Sequence, residues 1–146
     1  MKDWPEFDTN GDLPPGIHVA SLQEVIKHFG CDSPRRAVLA RRLERIYRFA
    51  QQTGHLFRFI VFGSFVTRKY EPNDVDIFLL MDDSFDMSQV APEARIVFDH
   101  QAAHNLLGAS VFWIRRAAAI SGEQDAVQFW QNKRDGNQRG IVEVVQ

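Results

Sequence analysis

The stretch from Phe57 to Leu80, FRFIVFGSFVTRKYEPNDVDIFLL, decides the predicted fold of this chain. It contains two apolar runs separated by a short basic and polar segment. The first run, Phe59 to Phe62, is β-branched and aromatic and too short for a typical helix, so it predicts a buried strand. The second run, Asp74 to Leu80, predicts another strand.

The first run stops at Gly63 and Ser64. Glycine suits a place where the backbone turns sharply or comes close to a ligand. Serine is a good N-cap, so we expect Ser64 to cap a short helix that begins at Phe65. A strand, a small-residue turn and a helix N-terminus together favour binding of a phosphate group.

The second run begins with two carboxylates, Asp74 and Asp76. Side chains alternate across a strand, so both acids are expected on one face, with Val75 and Ile77 directed into the core. Two like charges so close repel each other, and a surface strand gains nothing from that arrangement. A divalent cation removes the repulsion, and Mg²⁺ with a nucleotide phosphate suits oxygen ligands of this kind.

These residues carry a resemblance to a known superfamily. FGS at 62–64, a nine-residue spacer and DVDI at 74–77 resemble the signature of the polymerase-β-like nucleotidyltransferases, in which a glycine turn precedes a pair of spaced acids. More loosely, the segments FDTNGDLPPGIH, GSFVTRKYEPNDVDIFLL and KRDGNQRGIVEVV are similar to a family of small uncharacterised bacterial proteins with this fold. The resemblance implies an α/β (α+β) domain with a small mixed sheet packed against helices.

The resemblance also implies a function: transfer of a nucleoside monophosphate from an NTP such as ATP to a hydroxyl group, assisted by Mg²⁺ or Mn²⁺. The acceptor is open: a small molecule, an RNA end or a protein side chain. Carried onto this sequence, Asp74 and Asp76 are the catalytic metal ligands. The residues implied in phosphate binding are Gly63, Ser64, Arg68 and Lys69, the last two on the short helix after the turn.

The superfamily pattern expects a third acid on the following strand, where this chain has Ser110. Three alternatives remain open. Asp99 or Glu93 fills the gap, two acids suffice for catalysis, or the protein only binds nucleotide. In the last case it would be a catalytically impaired nucleotide-binding or partner-binding module, antitoxin-like, with the same fold.

The rest of the chain predicts one domain over residues 1–146, with an extended arm at 1–17 anchored by Trp4 and Phe7. A capping box at Ser21 opens a short helix, and Ser33 caps a longer one. Periodicity and breakers predict a helix over 92–107, a strand over 109–115, a helix over 122–132, a basic turn at 133–137 and a closing strand over 140–145 whose pattern fits a sheet edge.

The long helix, residues 34–53, is rich in arginine. We interpret these side chains chiefly as a solvated face whose long stems cover apolar surface. The alternatives are contact with the phosphates of RNA and contact with an acidic protein partner. A helical protein partner is also an implication of the superfamily resemblance. The arginines concerned are Arg35, Arg36, Arg41, Arg42, Arg45 and Arg48.

Composition limits the setting of the protein. The 146 residues are 45% hydrophobic with a net charge of −2, which predicts a globular chain and does not discriminate for or against nucleic acid. One cysteine permits no disulfide framework, and no long apolar run or signal peptide is evident. We therefore expect a soluble cytoplasmic protein without membrane contact.

Overall fold

The computed structural model describes residues 2–146. Five strands form one mixed sheet, in the order β1-β5-β2-β3-β4. β1 and β5 are parallel, as are β3 and β4, whereas β2 runs antiparallel to both of its neighbours. The expected fold class, a mixed sheet packed against helices, is confirmed. The strands are β1 (Ile17–Ser21), β2 (Leu56–Phe62), β3 (Val75–Met81), β4 (Ala109–Arg115) and β5 (Ile141–Val145).

The helices are mostly short. Only α1 and α2 exceed two turns, and both begin at the predicted serine caps, where Ser21 forms a complete capping box. None of the described helices is long and apolar enough to cross a membrane. The α-helices are α1 (Leu22–Phe29), α2 (Pro34–Gln52), α3 (Pro92–Arg95), α4 (His100–Ala102) and α5 (Glu123–Gln128). A π-helix spans Ala103–Leu107, and 3-10 helices span Ser64–Val66, Met87–Gln89, Ile96–Phe98, Arg116–Ala118 and Phe129–Gln131.

The two faces of the sheet are covered unequally. α1, α2 and the segment 92–107 pack on the first face in the main core, which includes Ile77 and Leu79 of β3. A smaller cluster on the second face contains Phe78 and Leu80, covered by Val127 of α5. Because side chains alternate along β3, Asp76 lies in line with Phe78 and Leu80 on the second face, at its less covered end. The predicted alternation of acids and apolar residues is confirmed.

Two predictions of local structure are wrong. The predicted helix over 92–107 is broken at Asp99, which adopts an extended conformation and caps α4 by accepting a hydrogen bond from Ala102 N at 3.0 Å. β5 is not an edge strand, because it lies between β1 and β2. The arm ends in the edge strand β1 (Ile17–Ser21), which sequence analysis did not predict. Its anchoring is as expected: Trp4 stacks on His28 with ring centroids 4.8 Å apart.

Candidate active site

The acid pair lies where β3 begins. Asp74 directly precedes the strand, and both Asp74 and Asp76 are half-buried. In the parallel pairing with β4, Ser110 is the register partner of Asp76. The Ser110 hydroxyl donates a hydrogen bond of 2.8 Å to Oδ2 of Asp74. The position where the superfamily pattern expects a third carboxylate is therefore directly beside the acid pair, and a hydroxyl occupies it.

The two carboxylates strongly influence each other. Burial, followed by the charge of Asp74 and a hydrogen bond with it, raises the pKa of Asp76 from its ordinary value of 3.8 to about 7. Arg139 and the Ser110 hydroxyl act in the opposite direction, without overcoming this shift. Near neutral pH the metal-free pair therefore readily holds a proton, which a bound cation would displace.

This raised pKa predicts how the stability of the metal-free protein depends on pH. The unfolded chain loses the Asp76 proton near pH 3.8 and the folded protein only near 7, so the free energy of unfolding falls as pH rises between these values. Between about pH 5 and about pH 8 we expect a loss of roughly 2–3 kcal/mol, at about 1.36 kcal/mol per pKa unit. Urea unfolding of wild type and Asp76→Asn without metal, at about pH 5 and about pH 8, measures it. The prediction is wrong if both proteins show the same difference between the two pH values.

The glycine turn brings the backbone against the acid pair. Gly63 has φ 77°, in the region that favours glycine, and a Cβ atom there would overlap the carboxylate of Asp76. Ser64 begins a 3-10 helix but makes no side-chain capping bond, so the predicted capping role is wrong. The 3-10 helix ends at Val66, and Thr67 is its C-cap. The Thr67 hydroxyl donates a hydrogen bond of 2.6 Å to the Ser64 carbonyl.

Substitution of Gly63 tests this close approach. We expect Gly63→Ala to cost about 1–3 kcal/mol of stability. Alanine is disfavoured at this positive φ, and its methyl group displaces the Asp76 carboxylate. Thermal unfolding without Mg²⁺ measures the loss of stability. The change in melting temperature on adding Mg²⁺ then shows whether the displaced Asp76 carboxylate affects binding of the ion. Gly136→Ala is the matched control, since Gly136 also has positive φ, 88°, but open space at its Cβ position. Equal losses for both variants would contradict a special contact at Gly63.

Arg68 and Lys69 follow the 3-10 helix in an irregular segment, and the prediction that they lie on a helix is wrong. Both are exposed. Lys69 lines the same cleft as Gly63, Ser64 and the acid pair, whereas Arg68 lines an adjoining pocket of about 440 Å³. The structure therefore brings five of the six predicted site residues together in one cleft and places the sixth beside it.

The cleft has a volume of about 920 Å³ and contains cationic residues that sequence reasoning did not assign to the site. Lys133 and Arg139 reach it from the loop before β5, and both contact Asp12 of the N-terminal arm, at 2.8 and 3.5 Å. Asp12 is only 4% exposed. The predicted basic turn at 133–137 was the available signal, but nothing local in sequence indicates that it faces the acids. Arg134 also lines this cleft.

A wall of aromatic rings also borders the cleft and was not predicted. It consists of Phe62 at the end of β2, Phe112 on β4, and Phe129 and Trp130 after α5. Strand alternation could have indicated Phe112, which lies two residues after Ser110 on the same face. The two rings after α5 approach only through tertiary packing.

The two acids proposed to complete the site, Glu93 and Asp99, lie outside the cleft. The structure therefore gives no support to the alternative in which one of them completes the site. Asp135 lines the cleft, on the basic turn. Within residues 2–146, however, no three His, Cys, Asp or Glu side chains are close enough to hold a metal ion together.

The donor set nevertheless fits one cation. Mg²⁺ is commonly bound by one or two carboxylates, with substrate phosphates and waters completing the octahedron. Asp74 and Asp76 supply two carboxylates at the edge of an open cleft, with cationic side chains nearby for phosphate. A second cation would meet the neutral hydroxyl of Ser110 at the position where the superfamily pattern expects a third carboxylate.

Arg36 belongs to the interior and not to the polar face of α2, contrary to the expectation for the arginine-rich helix. It is 2% exposed. Its guanidinium donates to the carbonyls of Phe65 and Thr67, each at 2.7 Å, and also to those of Phe29 and Lys69. Arg36 thus fixes the segment that follows the glycine turn and carries Lys69 into the cleft.

The comparisons with known proteins give one finding. The sequence model of one family, described as "Family of unknown function (DUF6932)", matches residues 5–145, a range that includes every residue of the site. No curated protein and no solved structure matches the chain. The family description assigns no activity, so the resemblance to nucleotidyltransferases stays a prediction.

Proposed function

We propose that this chain, which belongs to the DUF6932 family, is a Mg²⁺- or Mn²⁺-dependent nucleotidyltransferase that acts on an NTP and the hydroxyl group of an acceptor. The observation that carries the proposal is the pair Asp74 and Asp76, half-buried side by side at the edge of a cleft with the pKa of Asp76 raised to about 7. Carboxylates held together at such a cost in charge repulsion are explained by a cation that joins them.

The residues of the cleft divide the work of such a reaction. The acceptor oxygen forms a bond to the α-phosphorus, the bond to pyrophosphate breaks, and the hydroxyl proton passes to solvent water. When bound, the cation neutralises phosphate charge and orients the phosphates. Asp74 and Asp76 would hold it, Gly63 lets the backbone come close, and the cationic side chains would stabilise negative charge on the departing pyrophosphate. Those side chains are Lys69, Lys133 and Arg139, with Arg68 in the adjoining pocket.

The direct test is label transfer from α-³²P NTPs, with Mg²⁺ or Mn²⁺, to components of a cell extract. We expect labelled acceptor with wild type and none with the double variant Asp74→Ala, Asp76→Ala. Asp125→Asn is the control for loss of an acidic side chain, since Asp125 is exposed on α5 and does not line the cleft. Labelling that persists in the double variant would disprove this assignment of the site.

A second candidate function rests on Ser110. Its hydrogen bond to Asp74 places a neutral hydroxyl where the superfamily pattern expects an acid, which favours a module that binds Mg²⁺-NTP or a partner protein without transferring a nucleotide. Mg²⁺-dependent nucleotide binding by calorimetry, with no label transfer to any acceptor, would establish this module and exclude the enzyme.

A carboxylate introduced at position 110 tests whether this position adjoins the cation. We expect Ser110→Asp to tighten Mg²⁺ binding by about tenfold, because a third carboxylate adjoins Asp74, and to lower the metal-free melting temperature by charge repulsion. Calorimetry with Mg²⁺ and thermal unfolding with and without the ion measure both effects. Ser110→Asn is the neutral control. If Ser110→Asp binds Mg²⁺ no better than Ser110→Asn, position 110 does not adjoin the cation.

The wider setting is part of the proposal. With a single cysteine, a cytoplasmic location is favoured.

RNA contact through α2 remains a further alternative, and it predicts binding that weakens steeply with salt and survives Asp74→Asn. The structure reduces the basic charge available for it, because Arg36 is buried, Arg48 pairs with Glu44 and Arg42 lies against Gly108. A helical protein partner rests on the resemblance alone.

A further inference from the structure

Strand register places aromatic rings directly beside the acid pair. Phe62, the last residue of β2, is the register partner of Asp76. Phe112 follows Ser110 by two residues on β4, which corresponds to about 6.6 Å along the strand. A ligand that reaches from the acids along the second face of the sheet therefore meets aromatic rings immediately.

Trp130 joins these rings into one wall. Its ring centroid lies 4.4 Å from that of Phe62, 5.0 Å from that of Phe112 and 5.1 Å from that of Phe129. The outer rings are open to the cleft: Phe112 is 39% exposed and Phe129 is 59% exposed. Large aromatic side chains with that much free surface, in a concave site with polar groups, are typical of ligand binding.

The wall also contains an unpaired polar group. Nε1 of Trp130 is buried and has no hydrogen-bond partner anywhere in residues 2–146. Buried N–H groups are normally paired, so this donor calls for an explanation. Because this atom is buried, Trp130 contributes its ring, and not its N–H group, to the surface of the cleft.

The same cleft combines this wall with groups that suit phosphate. Lys69, Lys133 and Arg139 line it together with the acid pair. Lys133 and Arg139 also pair with Asp12, but a purely apolar partner surface would match neither Lys69 nor the acid pair. A ligand that has both a planar heteroaromatic ring and a polyphosphate chain matches the aromatic wall, the cationic side chains and, through a bound cation, the acid pair.

We propose that Phe112 and Phe129 form the nucleobase site of this cleft, stacking on the base of a nucleoside triphosphate whose phosphates lie at Asp74 and Asp76. The inference rests on the proposed function and assigns the part of the substrate that the acids do not contact. Aromatic stacking of this kind accepts any base, because every base has a π face. The site therefore binds purine and pyrimidine nucleotides alike, and more weakly any ligand without a base.

The experiment compares two probes, Mg²⁺-ATP and Mg²⁺-tripolyphosphate, which share the phosphate chain and differ in the nucleoside. Calorimetry measures both with wild type, Phe112→Ala and Phe129→Ala. We expect each variant to weaken ATP binding by about tenfold and to leave tripolyphosphate binding unchanged within about twofold. Phe57→Ala is the matched control, since Phe57 is 45% exposed and does not line the cleft. Phe129→Ala removes an exposed ring, so it keeps the test valid if Phe112→Ala unfolds.

The outcomes separate this inference from the proposed function. If wild type binds both probes in an Asp74-dependent way but neither phenylalanine variant affects ATP, the nucleobase site is disproved and the phosphate site stands. Equal weakening of ATP and tripolyphosphate would likewise disprove stacking, since the effect would not depend on the base. If wild type binds neither probe, the proposed function fails, and the nucleobase site fails with it.

Discussion

Asp74→Asn and Asp76→Asn are each expected to abolish Mg²⁺-dependent NTP binding. The loss of affinity should exceed the roughly 10–100-fold that is typical for residues that only hydrogen-bond to a metal ligand. The reason is that these two carboxylates are the only acids within bonding reach of each other in the cleft, among residues 2–146. Asparagine keeps the size and the hydrogen-bonding shape but removes the charge that attracts the cation. Calorimetric titration with Mg²⁺-ATP measures the loss.

The same variants should fold at least as stably as wild type without metal. Burial and the neighbouring charge raise the pKa of Asp76, so an ionised pair disfavours the folded state, and neutralising either member relieves it. Thermal unfolding in a chelating buffer measures this, with Asp125→Asn as the control for a change in net charge. A lower melting temperature for either variant, or retained Mg²⁺-ATP binding, would contradict the assignment of these residues as metal ligands.

Local patterns were sufficient to predict those parts of the site that lie on one stretch of chain. The strand ending at Phe62, the turn at Gly63 and the alternation of Asp74 and Asp76 all depend on near neighbours in sequence. The capped start of α2 and the strand Ala109–Arg115 are local in the same sense. The register of Ser110 beside Asp76 follows once β3 and β4 are paired in parallel.

The features that sequence reasoning missed depend on contacts between distant segments. β5 lies inside the sheet because β1, from the N-terminal arm, pairs with its outer side, and no pattern within 140–145 shows that neighbour. Lys133 and Arg139 line the cleft and both pair with Asp12 of the arm, which is 121 and 127 residues away in sequence. The helix over 92–107 was predicted from apolar spacing, and the capping preference of Asp99 overrode that spacing locally.

Arg36→Ala is expected to lower the free energy of unfolding by about 3–5 kcal/mol, the largest stability effect of any single substitution considered. The guanidinium has five N–H donors, and the structure shows five hydrogen bonds from it to backbone carbonyls. Alanine would leave the carbonyls of Phe29, Phe65, Thr67 and Lys69 without this donor, in a region that excludes water. Urea unfolding measures the effect, with neighbouring, exposed Arg35→Ala expected to stay within about 0.5 kcal/mol of wild type.

Arg36→Lys should recover little of this stability, and it links the fold to the function. A lysine ammonium has three donors at one point, so it cannot span carbonyls that the planar guanidinium reaches in several directions. Because those carbonyls belong largely to residues 65–69, the segment between the glycine turn and Lys69 should loosen in the folded variant. Mg²⁺-ATP binding measured well below its melting temperature should therefore weaken, whereas Arg35→Lys should not change it. Wild-type stability and binding in Arg36→Lys would show that positive charge alone, and not the fork of donors, holds this segment in place.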